Sequence, residues 1–84
     1  MKQYYITFRS VTYAQKGETL LKAAGIPCSL RRTPRWMEAQ GCGYCLNLWT
    51  NEPDRALELL EGARIPRRRI YSQERDGQLE EMKL

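Results

Sequence analysis

Tyr44-Cys45-Leu46-Asn47-Leu48-Trp49 is the stretch on which the fold turns. Leu46 and Leu48 fall on one side of an extended chain, and Cys45, Asn47 and Trp49 on the other. That two-residue period is the mark of a strand with one face in a core. Directly downstream, Thr50 or Asn51 can cap a helix, Pro53 fits its first turn, and Ala56, Leu59, Leu60 and Ala63 form an apolar stripe. Ile65-Pro66 restarts the chain, and Arg68-Arg69-Ile70-Tyr71-Ser72 reads as the next strand.

Upstream lies a connection over residues 33–43 that contains Pro34, Gly41 and Gly43. It is longer than most hairpin loops, and long loops tend to carry function. Before it, Cys28-Ser29-Leu30-Arg31-Arg32 alternates apolar with polar until Thr33-Pro34 interrupts it, the pattern of a short edge strand. Further back, Ser10 can cap a helix over residues 11–24 whose apolar face holds Val11, Ala14, Leu20, Leu21 and Ala24. Gly25 stops that helix in the left-handed region, and Ile26-Pro27 leads out as Ile65-Pro66 does. Tyr4-Tyr5-Ile6-Thr7-Phe8, β-branched and aromatic, is the first strand.

The order is therefore β-α-β-β-α-β, which predicts an α+β fold of the ferredoxin-like kind. Two helices would pack on one face of an antiparallel sheet with strand order 4-1-3-2. Residues 1–72 form one domain in this reading, and residues 73–84 a charged C-terminal tail, frayed or shaped as a short helix. In that topology the 33–43 connection, the start of the first helix and the arginines entering the fourth strand all meet at one end of the sheet.

Composition narrows the function classes. Eighty-four residues, 42% of them apolar and none in a repeat, hold one small core. No stretch reaches the roughly 20 apolar residues that span a bilayer, and the N-terminus has no signal-like core, so a cytoplasmic location and no membrane partner are expected. The net charge is +4, and most of the ten arginines fall at 31, 32, 35, 64, 67, 68, 69 and 75. Such a balance suits an anionic partner or an acidic protein surface. Hydrolase, kinase and dehydrogenase readings find no catalytic histidine, paired carboxylates or phosphate-cradling glycine motif. Glu18, Glu38 and Glu58 read as solvated, and Trp36 with Met37 as loop packing.

Chemistry concentrates in Cys42-Gly43-Tyr44-Cys45. Two thiols stand three residues apart beside glycines and downstream of Arg31, Arg32 and Arg35, and cationic charge favours the reactive thiolate. A lowered Cys42 pKa is expected. Three cysteines are too few and too odd a number for a secreted disulfide framework, so a carrier or catalytic role for Cys42 and Cys45 outranks a structural one. Zinc would need four ligands, and the chain offers three cysteines and no histidine, so neither metal nor other cofactor is expected.

The run Ile6-Thr7-Phe8-x-Ser10, then Leu20-Leu21 leading to Gly25-Ile26-Pro27, then Thr33-Pro34-Arg35, then Cys42-Gly43, resembles the small bacterial family described as putative selenium/sulfur carrier protein-like. The resemblance covers about residues 4–72. It implies a domain of selenium or sulfur metabolism that holds a persulfide or perselenide on Cys42, a carrier more than a turnover enzyme. It further implies that Pro34 and Arg35 orient or neutralise the anionic sulfur, with Gly41, Gly43 and Ser10 in the binding surround. Its partners would be donor and acceptor proteins. Many members have no second thiol at the position of Cys45.

Two other readings compete. A thiol-disulfide redox protein would pair Cys42 with Cys45, but three extended steps span about 10 Å, beyond the roughly 7 Å reach of a disulfide. A non-catalytic binding module would use the sheet face away from the helices, assigned Tyr5, Thr7, Arg31, Asn47, Trp49, Arg69 and Tyr71. On that face a homodimer or protein partner is preferred to RNA, because the glycine-aromatic signature of an RNA-recognition motif is missing.

Overall fold

A computed structural model describes residues 2–33, 43–74 and 77–82. Its elements are β1 (Lys2–Phe8), α1 (Val11–Ala23), β2 (Cys28–Arg32), β3 (Tyr44–Thr50), α2 (Pro53–Gly62), β4 (Ile70–Gln73) and β5 (Leu79–Glu81). All five strands join one antiparallel sheet in the order β2-β3-β1-β4-β5. The architecture is α+β, with two helices beside a five-stranded sheet.

The expectation of a four-stranded, ferredoxin-like sheet is corrected here. The first four strands have the expected neighbours, but β5 lengthens the sheet at the β4 edge, where the sequence reading placed a charged tail. Leu79-Glu80-Glu81 is too short and too polar to announce a strand. Its stability comes from its neighbours: a tight turn through Gly77 at φ 86°, with Glu74 N–H donating to the Gln78 carbonyl at 2.8 Å, and Met82 packed on the core. Asp76-Gly77 is a strong hairpin signal and could have revealed the turn.

The register fixes the two faces. Tyr4 lies opposite Leu48, Ile6 opposite Leu46 and Phe8 opposite Tyr44, while Cys28 and Leu30 meet Leu48 and Leu46 from the other side. These side chains form the core with Ala14 and Leu21 of α1 and Ala56, Leu57 and Leu60 of α2. Burying an aliphatic or aromatic side chain of this kind stabilises the fold by roughly 1.5–3 kcal/mol each. Cys28 belongs to this core, as its strand phase implies.

Gly17 faces the core where the sequence stripe had a gap. A Cβ there would stand 3.2 Å from both Leu46 Cδ1 and Leu60 Cδ2 and 3.3 Å from Phe8 Cζ. The missing side chain lets α1 lie close on the sheet and on α2 at once. In α2 the stripe is also adjusted: Leu57 is buried and Ala63 exposed, because the helix turns Ala56, Leu57 and Leu60 inward.

Both helices end alike. Ile26 N–H donates to Leu21 O and Ile65 N–H to Leu60 O, each at 2.9 Å, after a left-handed residue, Gly25 in α1 and Arg64 in α2. Each pairing anchors an isoleucine against the core and lets the following proline carry the chain away. At the start of α1, Ser10 caps as expected, its hydroxyl accepting from Tyr13 N–H at 3.2 Å.

Glu18 is not merely solvated. Its carboxylate accepts from Leu30 N–H at 3.0 Å and pairs with Lys22 at 3.5 Å. Since β2 is an edge strand, this acceptor satisfies an outward N–H that would otherwise be open to strand addition.

Two consequences can be measured. Gly17→Val should lower thermal stability by about 1–3 kcal/mol, because two branched methyls must displace Phe8, Leu46 and Leu60; an unchanged melting curve would show that α1 is not held at that distance. Ser10→Ala should cost about 0.5–2 kcal/mol in denaturant unfolding through loss of the cap.

Candidate functional site

The strand ends that flank the cysteine-bearing connection lie together at one end of the sheet. Phe8, Tyr44 and Arg32 stand in register across β1, β3 and β2, so the last residue of β1, the first of β3 and the last of β2 share that end. Thr33 N–H donates to the Gly43 carbonyl at 3.1 Å, so the connection between them leaves and re-enters the sheet at one place. Pro34, Arg35, Gly41 and Cys42 lie outside the described residues. Gly43 is buried, with its carbonyl engaged by Thr33.

The same end receives β4. Thr7 N–H donates to Arg69 O and Arg68 N–H to Thr7 O, both at 2.8 Å, while the Thr7 hydroxyl accepts from Arg69 N–H at 3.0 Å and donates to Arg69 O at 3.3 Å. A side chain assigned to an exposed face therefore works as a buried clasp. It sets the arginine run Arg67-Arg68-Arg69 beside the start of α1, where a groove of about 540 Å³ is lined by Arg9, Tyr13 and Pro66 as well as those arginines. The expected meeting of the α1 N-terminus with the fourth-strand arginines is thus observed. Tyr13 is the residue that sequence reasoning missed; as an aromatic in the first helical turn, outside the apolar stripe, it gave the available signal.

Cys45 sits on the sheet face away from the helices, opposite Thr7 on β1 and Arg31 on β2, and is only 1% exposed. Burial pushes its thiol pKa up; the neighbouring Thr33 hydroxyl, which makes no full hydrogen bond among the described residues, and the Arg31 guanidinium offset this in part. Cys28 is likewise raised, first by burial and then by the Glu18 carboxylate, with Lys22 acting against them. Its Sγ lies 3.7 Å from the Glu18 carbonyl oxygen, which it meets as a weak donor. Both thiols hold their protons at neutral pH, so neither is a ready nucleophile.

The chain belongs to the family described as Putative Se/S carrier protein-like, whose model matches residues 3–72. The matched span runs from β1 into β4 and takes in all three cysteines, while β5 lies beyond it. No curated protein and no solved structure matches the chain.

The face away from the helices is less open than its residues imply. Thr7, Asn47 and Tyr71 are buried, Tyr5 and Trp49 half-buried, and Arg31 and Arg69 exposed. Gln3 Nε2 donates to Asn47 Oδ1 at 2.7 Å and to the Tyr5 hydroxyl at 3.2 Å, and that hydroxyl donates to Gln73 Oε1 at 3.2 Å. A polar chain thus ties β3, β1 and β4 across the face that had been assigned to stacking or dimerisation. No helix of the described residues is long and apolar enough to cross a membrane, and no cluster of three or more potential metal ligands occurs among them.

The raised thiols make stability fall in alkali. In the unfolded chain they ionise near the ordinary value of 9.0, while the native chain keeps their protons to higher pH. Their contribution is intact below about pH 9 and is lost as pH climbs through the raised folded values. Unfolding free energy measured from neutral pH into alkali should fall less steeply in Cys45→Ala than in the unsubstituted protein; equal slopes would mean that Cys45 titrates as freely when folded as when unfolded.

Proposed function

We propose that this protein carries sulfur or selenium as a persulfide or perselenide on Cys42. The observation that carries the reading is the burial of the other two cysteines: Cys28 is committed to the core and Cys45 to the sheet, both with pKa raised. Within a family named for chalcogen transport, Cys42 is then the thiol left for the cargo. It directly precedes Gly43, whose backbone closes against Thr33 at the arginine-bearing end of the sheet.

In the loading step, the Cys42 thiolate attacks the terminal sulfur of a donor persulfide. A new S–S bond forms at Cys42, the donor's S–S bond breaks, and the donor departs as a thiolate that later takes up a proton. Sulfur moves without net oxidation or reduction. Discharge to an acceptor thiolate is the same exchange in reverse. Cationic charge from Arg32 and Arg67–Arg69, with Arg35 in the role the family resemblance implies, favours the thiolate and the persulfide anion. Gly41 and Gly43 give a partner close backbone access, and Ser10 holds the neighbouring helix start in place. Cys45 supports the strand here and is not the resolving thiol of a redox pair, in keeping with its burial.

The test uses a cysteine desulfurase with cysteine as sulfur source, followed by intact mass measurement. The reduced protein should gain about 32 Da per sulfur, removable by reductant, and Cys45→Ser should gain it too. Cys42→Ser should not. No gain in the unsubstituted protein, or a gain that persists in Cys42→Ser, would overturn the assignment; a loss of two hydrogens on mild oxidation instead would move it to a Cys42–Cys45 disulfide.

A further inference from the structure

Two grooves at the start of α1 are one trough. The arginine groove described above shares Tyr13, Pro66 and Arg67 with a second, of about 620 Å³, whose floor is Leu57, Leu60 and Ile65. One half is lined by four arginines; the other has an apolar floor beneath a rim that carries Glu61 and Arg64, with the Tyr13 ring at the joint. At 39% exposure, Tyr13 is the one large hydrophobic side chain exposed among the described residues. We propose that this trough docks a segment of a partner protein in which apolar side chains are followed by acidic ones.

Charge complementarity sets the acidic half. Arg9, Arg67, Arg68 and Arg69 line it, and Arg31 and Arg32 end β2 at the same end of the sheet. The opposite end carries Glu52, Asp54 and Glu74 against Lys2 and Arg55, a small acidic excess. Such a polar distribution of charge steers an anionic partner to one end and fixes its orientation. Guanidinium groups pair with carboxylates through two parallel hydrogen bonds, so a run of them reads a run of acidic side chains.

The other anionic candidates fit less well. A single small oxyanion is normally held by buried, fixed donors, whereas Arg9, Arg67 and Arg69 are exposed on flexible stems, and Arg69 shares its charge with Glu81 at 3.9 Å. Single-stranded RNA needs a row of aromatic faces; Tyr13 stands alone in the trough, and Tyr71 is buried on another surface. An apolar floor beside the arginines has no use in either case. It does suit the leucine or valine side chains of a peptide.

The proposal deepens the carrier reading and rests on it for its biological sense, because a donor or acceptor must bind within reach of Cys42. Its test is independent of sulfur loading. A fluorescein-labelled peptide with a leucine- and valine-rich half followed by a glutamate run is titrated with the full chain and followed by anisotropy, alongside an oligoglutamate, an oligouridylate and inorganic phosphate as competitors.

Binding should be saturable and weaken with salt, and Cys42→Ser should bind as the unsubstituted protein does. The double variant Arg67→Glu with Arg68→Glu should weaken it at least about tenfold. Tyr13→Ala should weaken it several-fold, and Arg55→Glu, in the first turn of α2 at the other end of the sheet, should leave it unchanged. Circular dichroism checks that each variant is folded, and Arg9→Gln with Arg67→Gln serves if the charge reversals are not. No binding, equal binding by the groove variants, tighter binding of oligouridylate, or full displacement by phosphate at equal concentration would each overturn the proposal.

Discussion

The close approach of α1 to the sheet at Gly17 is the constraint on which the rest of the molecule depends. With no side chain at that position, the helix settles within van der Waals distance of Phe8 and Leu46 and touches Leu60 of α2. One contact thereby joins the central pair of strands, the first helix and the second. The seat of α1 also fixes where its first turn lies, and so where Tyr13 meets the arginines that lead into β4. A bulkier residue would lift the helix and open the end of the sheet where α1 meets those arginines.

The second constraint is polar. Thr7 uses its backbone and its hydroxyl together to hold the chain at Arg68 and Arg69, four hydrogen bonds from one residue. Arginines repel one another when brought together, so a cluster of them needs a rigid backbone beneath it. Here the clasp is buried and the charges project from it. The Thr33–Gly43 hydrogen bond plays the matching role on the other side of β1, fixing both ends of the connection that contains Cys42.

Burial sets the chemistry of Cys28 and Cys45. The three thiols look equivalent as residue types, and the Cys-x-x-Cys spacing favours treating Cys42 and Cys45 as a pair. Strand phase separates them: it places Cys45 against Thr7 and Arg31 in the sheet and Cys28 beneath the helices. Removal from water penalises the thiolate at both, and a partial offset by Arg31 does not reverse the sign at Cys45. At Cys45, nearby positive charge therefore does not outweigh burial.

The amino-acid sequence by itself determined the α+β class, the first four strands and both helices, the Ser10 cap, the Gly25 stop and the family. These follow from local period, caps and breakers, which act over a few residues and are written in the chain. Only the tertiary structure decided the rest. β5 exists because β4 offers it an edge and the Gly77 turn delivers it there. Gly17 and Leu57 are core residues because of what faces them, and Glu18 is an acceptor because β2 passes beside it. The sheet face read as an aromatic platform is a hydrogen-bonded lattice of Gln3, Tyr5, Asn47 and Gln73, since those partners lie up to 68 positions apart in sequence. Likewise the trough beside Tyr13 joins the first helix to residues that follow the second. Contacts between distant segments leave no periodic trace in a sequence, so the site's neighbourhood became legible only once the chain was folded.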